Sequence, residues 1–177
     1  MKKFLLLIVA MVACSAVSAS AATSRTDKDG NEVYHHFLVS AQYTMGDFDI
    51  AKQSSWYGLG IYATSISHWG AFHVGANVDF NINNGFVPKS NSGVMTNFGP
   101  SFRVDLGKHL FLNVPVNAVC NASYPEGEDT KYVWGGKVAP SFHGFFNDKV
   151  GIFVGPNVTF GKGGKSFGMQ AGLSICF

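Results

Sequence analysis

The chain has 177 residues and a formal charge of +2; 46% of it is hydrophobic and only 14% charged, with 21 glycines and 16 phenylalanines. The charged fraction lies well under the roughly 25% usual in soluble domains, and setting Lys2 and Lys3 aside takes the basic count from 13 to 11 against 11 acidic residues, which excludes an electrostatic nucleic-acid binder. No stretch approaches the roughly 20 apolar residues of a membrane helix, so any passage through a bilayer requires a closed barrel, the other structure that satisfies every backbone group in lipid.

Met1-Lys2-Lys3, the apolar run 4–13 and the small residues Ala19-Ser20-Ala21 follow one another as the three parts of a cleavable export signal, which sets residues 1–21 apart. Met11-Val12-Ala13-Cys14 also resembles a lipoprotein cleavage box, with Met where Leu is usual. Residues 22–32 are polar, contain the turn signal Asp29-Gly30-Asn31, and are expected to form a short mobile lead. The remainder, 33–177, is long enough for one eight-stranded barrel and too short for a second domain.

Eight segments with a period of two follow, at about 34–44, 55–66, 72–82, 94–106, 110–121, 132–146, 150–160 and 166–177. The third is the cleanest: Phe72, Val74, Ala76, Val78, Phe80 and Ile82 alternate with His73, Gly75, Asn77, Asp79 and Asn81. Strand side chains alternate faces, so this pattern predicts an apolar outer face and a polar inner one. The connections at 67–70, 107–109 and 147–149 are short, whereas the other four are mostly longer and richer in charge or glycine. Short turns at one end and longer loops at the other predict an all-β, antiparallel, up-and-down transmembrane barrel with both termini at the short-turn end.

An internal repeat of 40 residues supports the same plan. Pro100-Ser101-Phe102 recurs as Pro140-Ser141-Phe142; Leu110, Leu112 and Val114 recur as Val150, Ile152 and Val154; Asn77, Asn117 and Asn157 keep the same step. Pro100, Pro115, Pro140 and Pro156 fall inside proposed strands, where proline removes a ladder donor, so bulges or bends are expected at some of them. Tyr43, Trp56, Tyr57, Tyr132 and Trp134 lie near the ends of strands on the loop side and Tyr34 near the opposite rim, as aromatic girdles would.

The last strand sets Phe167, Met169, Ala171, Leu173, Ile175 and Phe177 against Ser166, Gly168, Gln170, Gly172, Ser174 and Cys176. It resembles the terminal strand that bacterial outer-membrane barrels present to their assembly machinery, with Phe177, Ile175 and Leu173 as the signal. By strand pattern and loop alternation, 33–177 resembles the small barrels of the OmpA and OmpX type, including porin-like β-barrel proteins of Gram-negative bacteria. The resemblance implies an outer-membrane location, outer-membrane lipids as surroundings and a monomer. The role it implies first is structural or surface-interacting; a narrow passive pore for ions or small solutes comes second and a lipid-modifying enzyme third.

No enzyme motif is found. Gly161-Lys162-Gly163-Gly164-Lys165 joins two strands, lacks a following helix and reads as a hairpin turn rather than a phosphate loop. Adjacent His35 and His36 face opposite ways on a strand and cannot share one metal. Neither catalysis, a cofactor nor a metal is expected. Alternation instead aims Asp79, Arg103, Asp105, Lys137, His36, His73, His143, Asn77, Asn117 and Asn157 at the lumen, together with Gln42, Asn113 and Gln170. An eight-stranded lumen is just wide enough for side chains to fill, and enclosed charges are costly unless paired. The expected pairs are Asp79 with Lys137 and Arg103 with Asp105.

Overall fold

The computed structural model describes residues 25–26, 32–48, 53–83, 92–107, 109–124, 129–147 and 149–176; the export signal, Cys14 and Phe177 lie outside them. Within these residues run β1 (Arg25–Thr26), β2 (Glu32–Gly46), β3 (Gln53–Trp69), β4 (Phe72–Asn83), β5 (Ser92–Gly107), β6 (Leu110–Tyr124), β7 (Lys131–Val138), β8 (Ser141–Phe145), β9 (Val150–Gly161) and β10 (Gly164–Cys176). Sequential strands pair antiparallel, and β2 pairs with both β3 and β10, so that Ala41 faces Tyr57 on one side and Ala171 on the other. The sheet therefore closes. It is an eight-stranded up-and-down barrel whose seventh stave is β7 followed by β8, with β1 as a two-residue addition beside the start of β2.

Alternation dictates the faces. Along β9, Gly151, Phe153, Gly155, Asn157 and Thr159 are buried while Ile152, Val154, Pro156 and Phe160 are exposed. Every stave exposes a large apolar side chain: Val39, Tyr57, Phe80, Phe98, Val116, Phe142, Ile152 and Leu173. Burying one such side chain gains about 1.5–3 kcal/mol over leaving it in water, so a full ring of them calls for an apolar surrounding. The interior is the reverse, with buried His36, Gln42, Asn97, Asn117, Lys137 and Asn157.

β2 begins and β10 finishes at the end where the chain turns at Gly70–Ala71, between β5 and β6, and between β8 and β9. We call this the terminus end and the other the loop end. Gly70, at φ +60°, supplies the left-handed conformation that the first of these turns needs. That turn is tighter than the segment 67–70 expected from composition, because β3 continues through Trp69. The polar lead is likewise not wholly without partners, since Arg25 and Thr26 pair with Val33 and Glu32. At the loop end, the glycine-lysine segment is a two-residue hairpin turn, with Gly161 opposite Gly164.

The prolines are accommodated without bulges. The register shifts lie elsewhere, between Ala63 and Ser67 and between Asp105 and Gly107. Instead, the expected strand 132–146 is broken between Val138 and Ser141. Register is the same on both sides of the break, with Val138 opposite Val158 and Phe142 opposite Val154, so Pro140 falls across from Pro156. Pro115 flanks the same gap on β6. Pro115, Pro140 and Pro156 are thus gathered on one seam, which limits the number of carbonyls left without a ladder partner. Two bonds repair it: the Ala139 amide donates to the Pro115 carbonyl, and Gln170 Nε2 donates to the Ala139 carbonyl, each at 3.3 Å.

Candidate functional site

The lumen holds the polar residues that alternation aims inward, in three layers. The middle layer is a chain of side chains crossing from wall to wall. Lys137 Nζ donates to Gln42 Oε1 at 2.9 Å, and Gln42 Nε2 donates to Asn81 Oδ1 at 2.7 Å. Asn81 and Asn97 both donate to Asp79 Oδ1. Asp79 and Lys137 are therefore joined through two amides. Glycines make the room: a Cβ on Gly58 would collide with Asn81 Oδ1 and lie 2.6 Å from Ser40 Oγ. Asn77, Asn117, Lys137 and Gln170 line a cavity of about 40 Å³ beside this chain, and buried Asn113 accepts from Ser101 Oγ at 2.6 Å.

Toward the terminus end lies an aromatic layer. Phe111 stacks on His143 at 4.6 Å between centroids, and His143 on Phe153 at 5.0 Å. His36 meets Phe111 and Phe145 edge-on, each at 5.6 Å. Arg103 lies over the other face of this column, its Cζ 4.0 Å from the Phe111 centroid, while its Nε donates to Asp105 Oδ1 at 2.6 Å. His73 Nε2 lies 2.8 Å from the second oxygen of the same carboxylate. One aspartate thus joins a guanidinium and an imidazole, and the guanidinium also caps the rings.

Toward the loop end, Phe48, Trp56, Met95 and Val119 form a buried apolar cluster with Val133 packed against it. Trp56 is wholly buried, whereas its neighbour Tyr57 is exposed. Trp56 is therefore no member of the aromatic girdle; two adjacent strand residues cannot both face outward. Tyr43, Tyr57, Tyr132 and Trp134 are exposed near the loop end and Trp69, Phe72 and Phe146 near the other, while the side chain of Tyr34 lies outside the described ones.

Ser141 Oγ lies 3.0 Å from His143 Nε2, and Ser174 Oγ lies 3.3 Å from His36 Nδ1. Both have the spacing of a nucleophile and its base, but His143 is wholly buried and His36 nearly so. The second joins β10 to β2, whereas the first lies within β8. Asn157 is buried with neither amide atom hydrogen-bonded among the described residues. Of the terminal residues singled out by the last strand, Leu173 and Ile175 are exposed on β10 beside Val39 and Phe37, and Phe177 lies outside the described residues.

The inward aromatics Phe111 and Phe153, and the amides Gln42, Asn81 and Asn97 that connect the charges, were not marked as one network by residue type. Their signal was position: Phe111 shares parity with Asn113 two residues away, and Phe153 with Asn157 four residues away.

No family model and no curated protein matches the sequence. Solved structures do match by shape. The N-terminal β-barrel domain of Pseudomonas aeruginosa OprF superposes with a TM-score of 0.61 at 11% identity, over 81% of this chain and 97% of that one. Ail, the attachment invasion locus protein of Yersinia pestis, gives 0.57 at 8% identity over 82% and 97%, and Neisserial surface protein A gives 0.54 at 10% identity over 82% and 97%. With strand number, closure and up-and-down order in agreement, the chain has the fold of the small eight-stranded outer-membrane β-barrels.

Proposed function

We propose that this is an integral outer-membrane protein with a plugged lumen, exported by residues 1–21 and acting in a structural or surface-interaction role without catalysis. The observation that carries it is the pairing of an apolar belt with an interior closed at three levels, in which Trp56, Asn97 and His143 are each wholly buried. A belt of that kind is stable in lipid. A lumen of that kind leaves no continuous water path. Outer-membrane lipids are then its main surroundings, and Leu173, Ile175 and Phe177 its address to the assembly machinery; the protein acts as a monomer. The loop end faces outward and the terminus end faces the periplasm.

A narrow pore is the second reading, favoured by the polar cavity at mid-height. Two measurements decide. Unboiled protein should migrate differently from boiled protein on a detergent gel, and no shift would remove the membrane barrel. In planar bilayers the folded protein should conduct poorly, and large steady channels would promote the pore.

A further inference from the structure

The cavity at mid-height has the wrong chemistry to be empty. Its volume of about 40 Å³ is room for on the order of three waters. Asn117, buried to 4% exposure, lines it, as does Asn77. The side-chain oxygens of both are buried without a hydrogen-bond partner among the described residues. An orphaned buried acceptor costs about 1–3 kcal/mol, and two of them belong to residues that line this one space. The chamber also holds Lys137 and Asp79. The ammonium opposes a metal cation and the carboxylate opposes an anion, while water can serve both and the amides besides.

The chamber is bounded above and below by packed layers. Phe153, base of the stacked column with His143 and Phe111, forms part of its wall toward the terminus end. Toward the loop end the Phe48, Trp56, Met95 and Val119 cluster fills the lumen, with the Phe48 ring seated where Gly135 and Gly161 lack side chains; a Cβ at either would lie 2.9 Å from it.

We propose that the mid-lumen is a hydration chamber, a binding site for a few ordered waters held by Asn77, Asn117 and Lys137, and that the aromatic layer on one side and the apolar cluster on the other are separate barriers in series. This rests on the proposed plugged barrel and extends it. Passage of ions then requires both layers to be lost, because the polar middle is already wet.

The first test uses wild-type protein refolded in micelles and checked by its heat-dependent migration, so a failure to form the barrel is seen separately. Nuclear Overhauser contacts between water and the side-chain amide protons of Asn77 and Asn117, with the sign of long residence, are expected. Absence of water contacts at both, with xenon entering instead, would overturn the chamber. The second test records planar-bilayer conductance of Val119→Ser with Phe48→Ser, of Phe153→Ser, and of the three together. Each layer alone should leave conductance within about twofold of wild type, and the combination should raise it tenfold or more. Steady channels from one layer alone, or a folded triple variant that conducts no better than wild type, would refute the two barriers.

Discussion

Lys137 and Gln42 meet at 2.9 Å across the lumen, from strands β7 and β2, which are not neighbours in the sheet. The bond ties opposite walls and begins the chain of amides that ends on Asp79. Lys137→Ala leaves that half-buried carboxylate with its amide donors but without its cation, and should cost roughly 1–3 kcal/mol. Adding Asp79→Asn should recover part of the loss. Urea unfolding in micelles measures both, and a single variant as stable as wild type would show that the charges do not communicate.

Gly58 occupies a place where a methyl group meets Asn81 Oδ1 and Ser40 Oγ. Gly58→Ala should displace Asn81 and cost about 1–3 kcal/mol. Shortening the obstacle, as Gly58→Ala with Asn81→Ala, should cost less than the sum of the two single changes. Strict additivity in the same unfolding assay would mean that the glycine serves some other purpose.

Arg103 does two things that a point charge cannot combine: its plane covers Phe111 at 4.0 Å while its Nε binds Asp105. Arg103→Lys keeps the charge and loses the fit, so it should cost about 1 kcal/mol. Arg103→Met should cost more, because Asp105 then loses its guanidinium partner and keeps the His73 ring nitrogen at 2.8 Å. Equal stability of the lysine variant and wild type would reduce the contact to simple attraction.

Of the three tryptophans, Trp56 is inside the barrel and Trp69 and Trp134 are on its outer surface. In bilayers with brominated acyl chains, a protein retaining only Trp56 should keep most of its fluorescence. Proteins retaining only Trp69 or only Trp134 should be strongly quenched. Quenching of Trp56 to the same degree would place it in the girdle after all.

Cys120 pairs with Thr96 and Trp134 toward the loop end, and Cys176 with His36 at the terminus end. A disulfide needs Cα atoms within about 7 Å, and the two thiols are not bonded to each other. Alkylation of mature protein unfolded without reductant should therefore modify both. A single intramolecular bridge, seen as a mass lower by two hydrogens and no alkylation, would contradict the strand order.

The sequence by itself determined the barrel, its strand number and its faces. A period of two assigns each residue to lipid or lumen with no knowledge of its neighbours, so Phe72 and His73, or Phe102 and Arg103, could be sorted at sight. The same rule, applied strictly, would have moved Trp56 inside, because Tyr57 beside it takes the outward place; its aromatic character and closeness to a strand end pointed to the girdle instead. Arg103 and Asp105, two residues apart on one face, were also within local reach. What alternation lacks is height and azimuth. These depend on strand tilt and on the stagger accumulated around the closed sheet, so only the tertiary structure decided that Gln42 and Asn81 stand between Lys137 and Asp79, and that His143 lies between Phe111 and Phe153. The prolines divide in the same way: each is visible as a missing donor, but that Pro140 falls opposite Pro156 follows from register, which no single strand contains.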